Sequence, residues 1–150
     1  MRIALYQPEI AGNVGAVLRL AACMGVGVDI VEPTGFVFSD ARMKRAGMDY
    51  IDQADMVRYS DWSAFHAQID GRLILMTTKG VESLFETAFR PNDILMFGQE
   101  SAGVPESVAA QCDARVRIPI AASARSLNLS VSVGIALAEA LRQTGRLPAC

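Results

Sequence analysis

The stretches RIPIAASARSLNLSVSVGIALAEALRQ, Arg117 to Gln143, and LMFGQESAGVPE, Leu95 to Glu106, decide how this chain folds. Each opens on an apolar strand pattern and runs into a turn of small and polar residues. In an α/β protein such turns lie at the carboxyl ends of strands, where main-chain amides and carbonyls are free to hold a ligand. The expected site therefore belongs to the C-terminal half.

The runs around these two stretches point the same way. Arg72 to Thr77 (RLILMT) and Asp93 to Phe97 (DILMF) are continuous apolar runs bounded by turns, the pattern of parallel strands buried on both faces. Arg2 to Tyr6, a helical recurrence of Val14, Val17, Leu18, Ala21 and Met24, and Val28 to Val31 read as a βαβ unit. Asn13 is the expected cap of that helix, and Gly25 and Gly27 its end. A loop over Pro33 to Phe38 follows. Next come a short basic helix over Asp40 to Ala46 with Ser39 as its cap, a strand over Met56 to Tyr59 and a helix over Trp62 to Ile69. Arg115 to Ile118 is the last strand. From Leu127 to Leu141 the chain is apolar around most of a helix circumference, which calls for burial on its own sheet and against a second subunit. With no repeat or linker, residues 1–150 read as one α/β domain with a mostly parallel sheet flanked by helices.

Composition narrows the function. The 150 residues are 51% hydrophobic, enough for a substantial core, but no apolar run reaches membrane-spanning length and no signal-peptide pattern opens the chain. A cytoplasmic protein without a membrane partner is expected. Three cysteines, Cys23, Cys112 and Cys150, lack CxxC spacing and the single histidine, His66, offers no ligand cluster, so neither a disulfide framework nor a metal site is indicated. A net charge of −2 argues against a general polyanion binder. Any RNA contact has to be local, as at Arg42, Lys44 and Arg45, or shared across an oligomer.

Several motifs are absent. Neither GxGxxG nor GK[ST] occurs, which removes support for dinucleotide or phosphate-loop cofactors. Ser123 and Ser126 have no GxSxG elbow, and His66 sits in an amphipathic stretch (DWSAFHAQI) as a surface or packing residue rather than a base. Gly98 and Gly103 bracket a tight turn before Pro105, which is placed to begin a helix. The turn either lets a ligand approach the main chain or is simply a strand-to-helix corner. Arg19, amid VLRLAA, is either a snorkelling or ion-paired side chain, with Glu100 a candidate partner, or an anion clamp.

Taken together, LYQPEIAGNVGAVLRLAACMG, EPTGF, ARMKRAGMDY, FGQESAGVPE and IPIAASARSLNLSVSVGIALAEALRQ resemble the SPOUT-class RNA methyltransferases over nearly the whole chain. The likeness is greatest to the short tRNA (cytidine/uridine wobble position) 2'-O-methyltransferase family, with departures at Val131 and Ala138. The resemblance implies a SPOUT fold whose C-terminal segment forms a trefoil knot, a topology no general rule would suggest. It implies a homodimer meeting through the knot region and C-terminal helix, and a tRNA anticodon stem-loop as substrate. It further implies S-adenosylmethionine as methyl donor, leaving S-adenosylhomocysteine. Carried over by motif, the donor is held by Met76, Thr77, Gly98, Glu100, Gly103, Ile118, Ile120, Ser126 and Leu127. The resemblance points to Arg19 beside the ribose hydroxyl, with Asn13, Glu100, Ser126 and Asn128 completing the catalytic set, and to Arg42, Lys44, Arg45 and Arg125 as RNA contacts. Two alternatives stay open at this level: another RNA, such as rRNA, as substrate, and a catalytically silent knotted RNA-binding protein.

Overall fold

The computed structural model describes residues 1–38 and 55–149. The strands are β1 (Arg2–Tyr6), β2 (Gly27–Val31), β3 (Met56–Tyr59), β4 (Leu73–Met76), β5 (Glu82–Ser83), β6 (Ile94–Phe97) and β7 (Ala114–Arg117). The helices are α1 (Ala11–Met24), α2 (Trp62–His66), α3 (Glu106–Ala109) and α4 (Leu129–Gln143). All the strand pairings are parallel, and the sheet order is β3-β2-β1-β6-β4-β7-β5.

Alternation along each strand explains the layering. In β1, Ile3 and Leu5 face one core and Ala4 and Tyr6 the other; in β4, Ile74 and Met76 are separated in the same way from Leu73 and Leu75. The first core is closed by Val14, Val17 and Leu18 of α1 and Val133, Leu137 and Leu141 of α4. The second is closed by Phe65 of α2 and Val108 and Ala109 of α3. Each fully buried Leu, Ile or Phe contributes about 1.5–3 kcal/mol, so the continuous apolar runs are what commit these segments to central strands.

Helix α4 buries Leu129, Val133, Ala136, Leu137, Ala140 and Leu141 and packs beside α1. On its other side, among the described residues, Val131 is 48% exposed and Ala138 is exposed. Among the described residues no helix is long and apolar enough to cross a membrane.

Three local expectations are corrected. Asn13 does not cap α1; Ile10 occupies the cap position without a side-chain hydrogen bond, and Asn13 lies within the first turn with its amide committed elsewhere. The helix expected over Trp62 to Ile69 stops at His66, after Asp61 caps it by accepting from the Ala64 amide at 2.8 Å. Pro105 is the cap residue of α3 and not its first helical residue. The expected basic helix over Asp40 to Ala46, with its Ser39 cap, lies outside the described residues.

Candidate active site

The carboxyl ends of β4, β6 and β7 open together onto a cavity of about 580 Å³. Its floor comes from the strand ends, Met76 and Phe97, and from Leu129 at the start of α4. Its walls are the loops that follow those strands. The strands themselves end at Met76, Phe97 and Arg117, and the loops beyond them continue around the cavity.

Each loop has its own fastening. After β4, the Thr77 amide donates to the Val116 carbonyl at 2.8 Å and the Gly80 amide to the Thr77 carbonyl at 3.1 Å, making a tight turn. After β6, Gln99 and Gly103 exchange backbone hydrogen bonds of 2.9 Å in both directions. Gly103 closes that turn at a φ of 69°. Gly98 has no positive φ; a Cβ there would lie 2.4 Å from the Gly103 carbonyl carbon. The tight corner accounts for both glycines, while the same corner leaves backbone exposed to the cavity.

A directional chain of side chains ties the loops to the helices. The Glu100 carboxylate accepts from the Glu9 amide at 2.8 Å and from Asn13 Nδ2 at 3.0 Å. Asn13 Oδ1 in turn accepts from Asn128 Nδ2 at 3.0 Å. Asn128 Oδ1 then caps α4, accepting from the Ser130 amide at 2.9 Å, the Ser130 hydroxyl at 2.7 Å and the Val131 amide at 3.4 Å. Because a carboxylate only accepts, Glu100 fixes which way each amide in the series points. Beside it, Glu9 accepts from the Ser101 amide at 2.7 Å and the Ser101 hydroxyl at 2.8 Å. The Ser101 amide, followed by its hydroxyl, holds the Glu9 carboxyl below its ordinary value of 4.5.

Met76, Thr77, Gly98, Glu100, Gly103, Ile118, Ile120, Ser126 and Leu127 all line this one cavity, as do Asn13 and Asn128. Arg19 is exposed on α1 and is not among the lining residues. Arg125 lines a neighbouring cavity, and Arg42, Lys44 and Arg45 lie outside the described residues. Glu9, Ser101 and Lys79 were not singled out from the sequence. Glu9 contacts residues 91 and 92 positions away, a relation with no trace in local spacing. Lys79 sits in the same turn after β4 as Met76 and Thr77, the residues of LMTTKG expected at the site, and lines the cavity with them.

A family model described as the SpoU rRNA Methylase family matches residues 1–138. A protein named tRNA (cytidine(34)-2'-O)-methyltransferase from Beijerinckia indica subsp. indica is 51% identical over 148 residues, covering 97% of this chain and 92% of its own. A solved structure described as giving structural insights into the 2-OH methylation of C/U34 on tRNA is similar with a TM-score of 0.89 and 41% identity, over 95% of this chain and 94% of that one. The SpoU methyltransferase AviRb from Streptomyces viridochromogenes, in complex with the cofactor AdoMet, is similar with a TM-score of 0.81 and 25% identity, over 95% of this chain and 60% of its own.

Proposed function

The chain belongs to the SpoU rRNA Methylase family, and we propose that it methylates the ribose 2'-hydroxyl of the wobble nucleotide of tRNA, a cytidine or modified uridine, with S-adenosylmethionine as donor. The observation that carries this reading is the convergence of the loops after β4, β6 and β7 on one cavity, with Glu100, Asn13 and Asn128 linked along its wall. The named relatives favour tRNA over rRNA.

The cavity suits the donor. It combines apolar lining at Met76, Phe97 and Leu129 with polar lining from the loops at Thr77, Gln99, Ser126 and Asn128. Met76, Thr77, Gly98, Gly103, Ile118, Ile120 and Leu127 would hold the adenosine and methionine parts. When bound, S-adenosylmethionine supplies a methyl group activated by its sulfonium. Glu100 keeps Asn13 and Asn128 oriented, so that the polar wall is fixed before substrate arrives. Ser126 and Asn128 border the ribose.

Arg19 acts on the RNA rather than on the donor. A guanidinium stays charged at any working pH, so its role is to stabilise the oxyanion developing on the 2'-oxygen or to hold the adjoining phosphate. Arg42, Lys44, Arg45 and Arg125 supply further phosphate contacts. Val131 and Ala138, on the exposed side of α4, belong to a homodimer contact that meets through a knotted C-terminal segment. The enzyme acts in the cytoplasm as a single domain.

The test is Arg19→Ala, assayed with labelled donor on total tRNA and on rRNA, with donor binding measured in parallel by calorimetry. Loss of label in tRNA with donor affinity retained is the expected result. Near-normal methylation removes Arg19 from the reaction, and label in rRNA alone replaces the substrate.

A further inference from the structure

A second cavity, of about 420 Å³, lies beside the first. Thr78, Ile118 and Ile120 line both, so the two share walls. Arg117 and Arg125 line the second, and both are exposed. Among the described residues neither makes a side-chain hydrogen bond or ion pair, whereas Arg2, Arg58, Arg72, Arg115 and Arg142 are each held by a carboxylate. Glu86 is the only carboxylate in this lining, so positive charge is in excess there.

An exposed aromatic residue lies in the turn that supplies two of these lining residues. Between the lining residues Ser83 and Glu86 the chain turns through Leu84, which is fully buried, and Phe85, which is 61% exposed. The turn is pinned. The Glu86 and Thr87 amides both donate to the Ser83 carbonyl at 3.0 Å, and the Thr87 hydroxyl donates to it at 2.9 Å. The Leu84 amide donates to the Arg117 carbonyl at 2.9 Å, which ties the turn to the strand end bearing one of the cations. Val81, four residues earlier, is 87% exposed. An exposed apolar ring on a turn whose backbone is bonded to the strand end that bears Arg117 offers a π-face and phosphate donors on neighbouring segments, the combination by which single-stranded nucleic acid is gripped.

We propose that this second cavity and Phe85 form a subsite for the nucleotide next to the methylated one, with Arg117 and Arg125 on its phosphate and Phe85 stacked on its base. The proposal rests on the RNA methyltransferase reading and adds Phe85 and Arg117 to it. A protein partner would meet the same apolar ring, but the unpaired cations at the cavity favour a polyanion.

The full chain is titrated with a synthetic anticodon stem-loop RNA, first for binding and then for turnover. Phe85→Ala is expected to raise both Kd and KM for RNA about tenfold, with kcat and donor affinity unchanged, and Phe85→Trp to restore them. Arg117→Gln is expected to lower the slope of log affinity against log salt by about 0.7, as the loss of one single-strand phosphate contact does. Unchanged RNA affinity in Phe85→Ala overturns the subsite, as does a change in oligomeric state on sedimentation, which would make the ring a subunit contact. An unmodified protein that binds RNA but methylates none overturns the methyltransferase reading instead, and the binding series still decides the subsite.

Discussion

Replacing Glu100 by glutamine changes no volume and removes one acceptor from a chain of hydrogen bonds that has no slack. The carboxylate serves two donors, the Glu9 amide and Asn13 Nδ2. The introduced amide can serve only one, and its NH₂ then faces the other donor. Rotating Asn13 would relieve that clash but would turn its Nδ2 toward Asn128 Nδ2. Asn128 cannot rotate in response, because its Oδ1 caps α4 at Ser130 and Val131. One donor-to-donor mismatch therefore persists wherever the amides settle. A lost hydrogen bond to a charged group costs about 1.5–3 kcal/mol, and the partly exposed setting argues for the lower half, about 2 kcal/mol. For a domain of this size that lowers Tm by about 4–8 °C. Thermal unfolding followed by circular dichroism measures it. The double variant Glu100→Gln with Asn13→Asp supplies the matching repair, since the introduced carboxylate accepts both from the introduced amide and from Asn128. It should recover more than half of the loss. A single variant that melts with the parent, or a double variant that recovers nothing, refutes the directional chain.

Gly98→Ala places a methyl group 2.4 Å from the Gly103 carbonyl carbon and 2.7 Å from its Cα, which forces the Gln99 to Gly103 pairing open. The expected cost is about 1–3 kcal/mol of stability together with a loss of donor affinity, read by melting and calorimetry; full donor affinity would contradict the cavity assignment. Acid should act through Glu9. Its folded carboxyl titrates below the ordinary 4.5, so its tie to Ser101 is fully present above that value and is lost as pH falls below it. Donor affinity should therefore hold at neutral pH and decline on acidification past that point, with Glu9→Gln abolishing this component of the profile.

The strands were readable because burial on both faces leaves a mark in sequence. RLILMT and DILMF could be satisfied only at the centre of a sheet, and the structure places β4 and β6 there. Helix ends were less readable. Asn13 has the chemistry of a cap, but its amide is worth more between Glu100 and Asn128 than at the helix start, and nothing in the local sequence records that competition. Gly98 shows the same limit. Its spacing suited a ligand approach and a backbone corner equally, and the contact with Gly103 shows that the corner by itself requires glycine there.

The sequence by itself determined the class of fold and the strand segments other than β5, whose two residues Glu82 and Ser83 carry no apolar run, because periodicity, turn chemistry and motif are local properties of the chain. Tertiary structure decided which loops meet. Glu9 and Glu100, 91 positions apart, share a hydrogen bond only because β1 and β6 are neighbours in the sheet. Arg117 and Arg125 likewise line one cavity with Ser83 and Glu86 only because β5 pairs with β7. Strand order is set by long-range pairing, and no single segment encodes it.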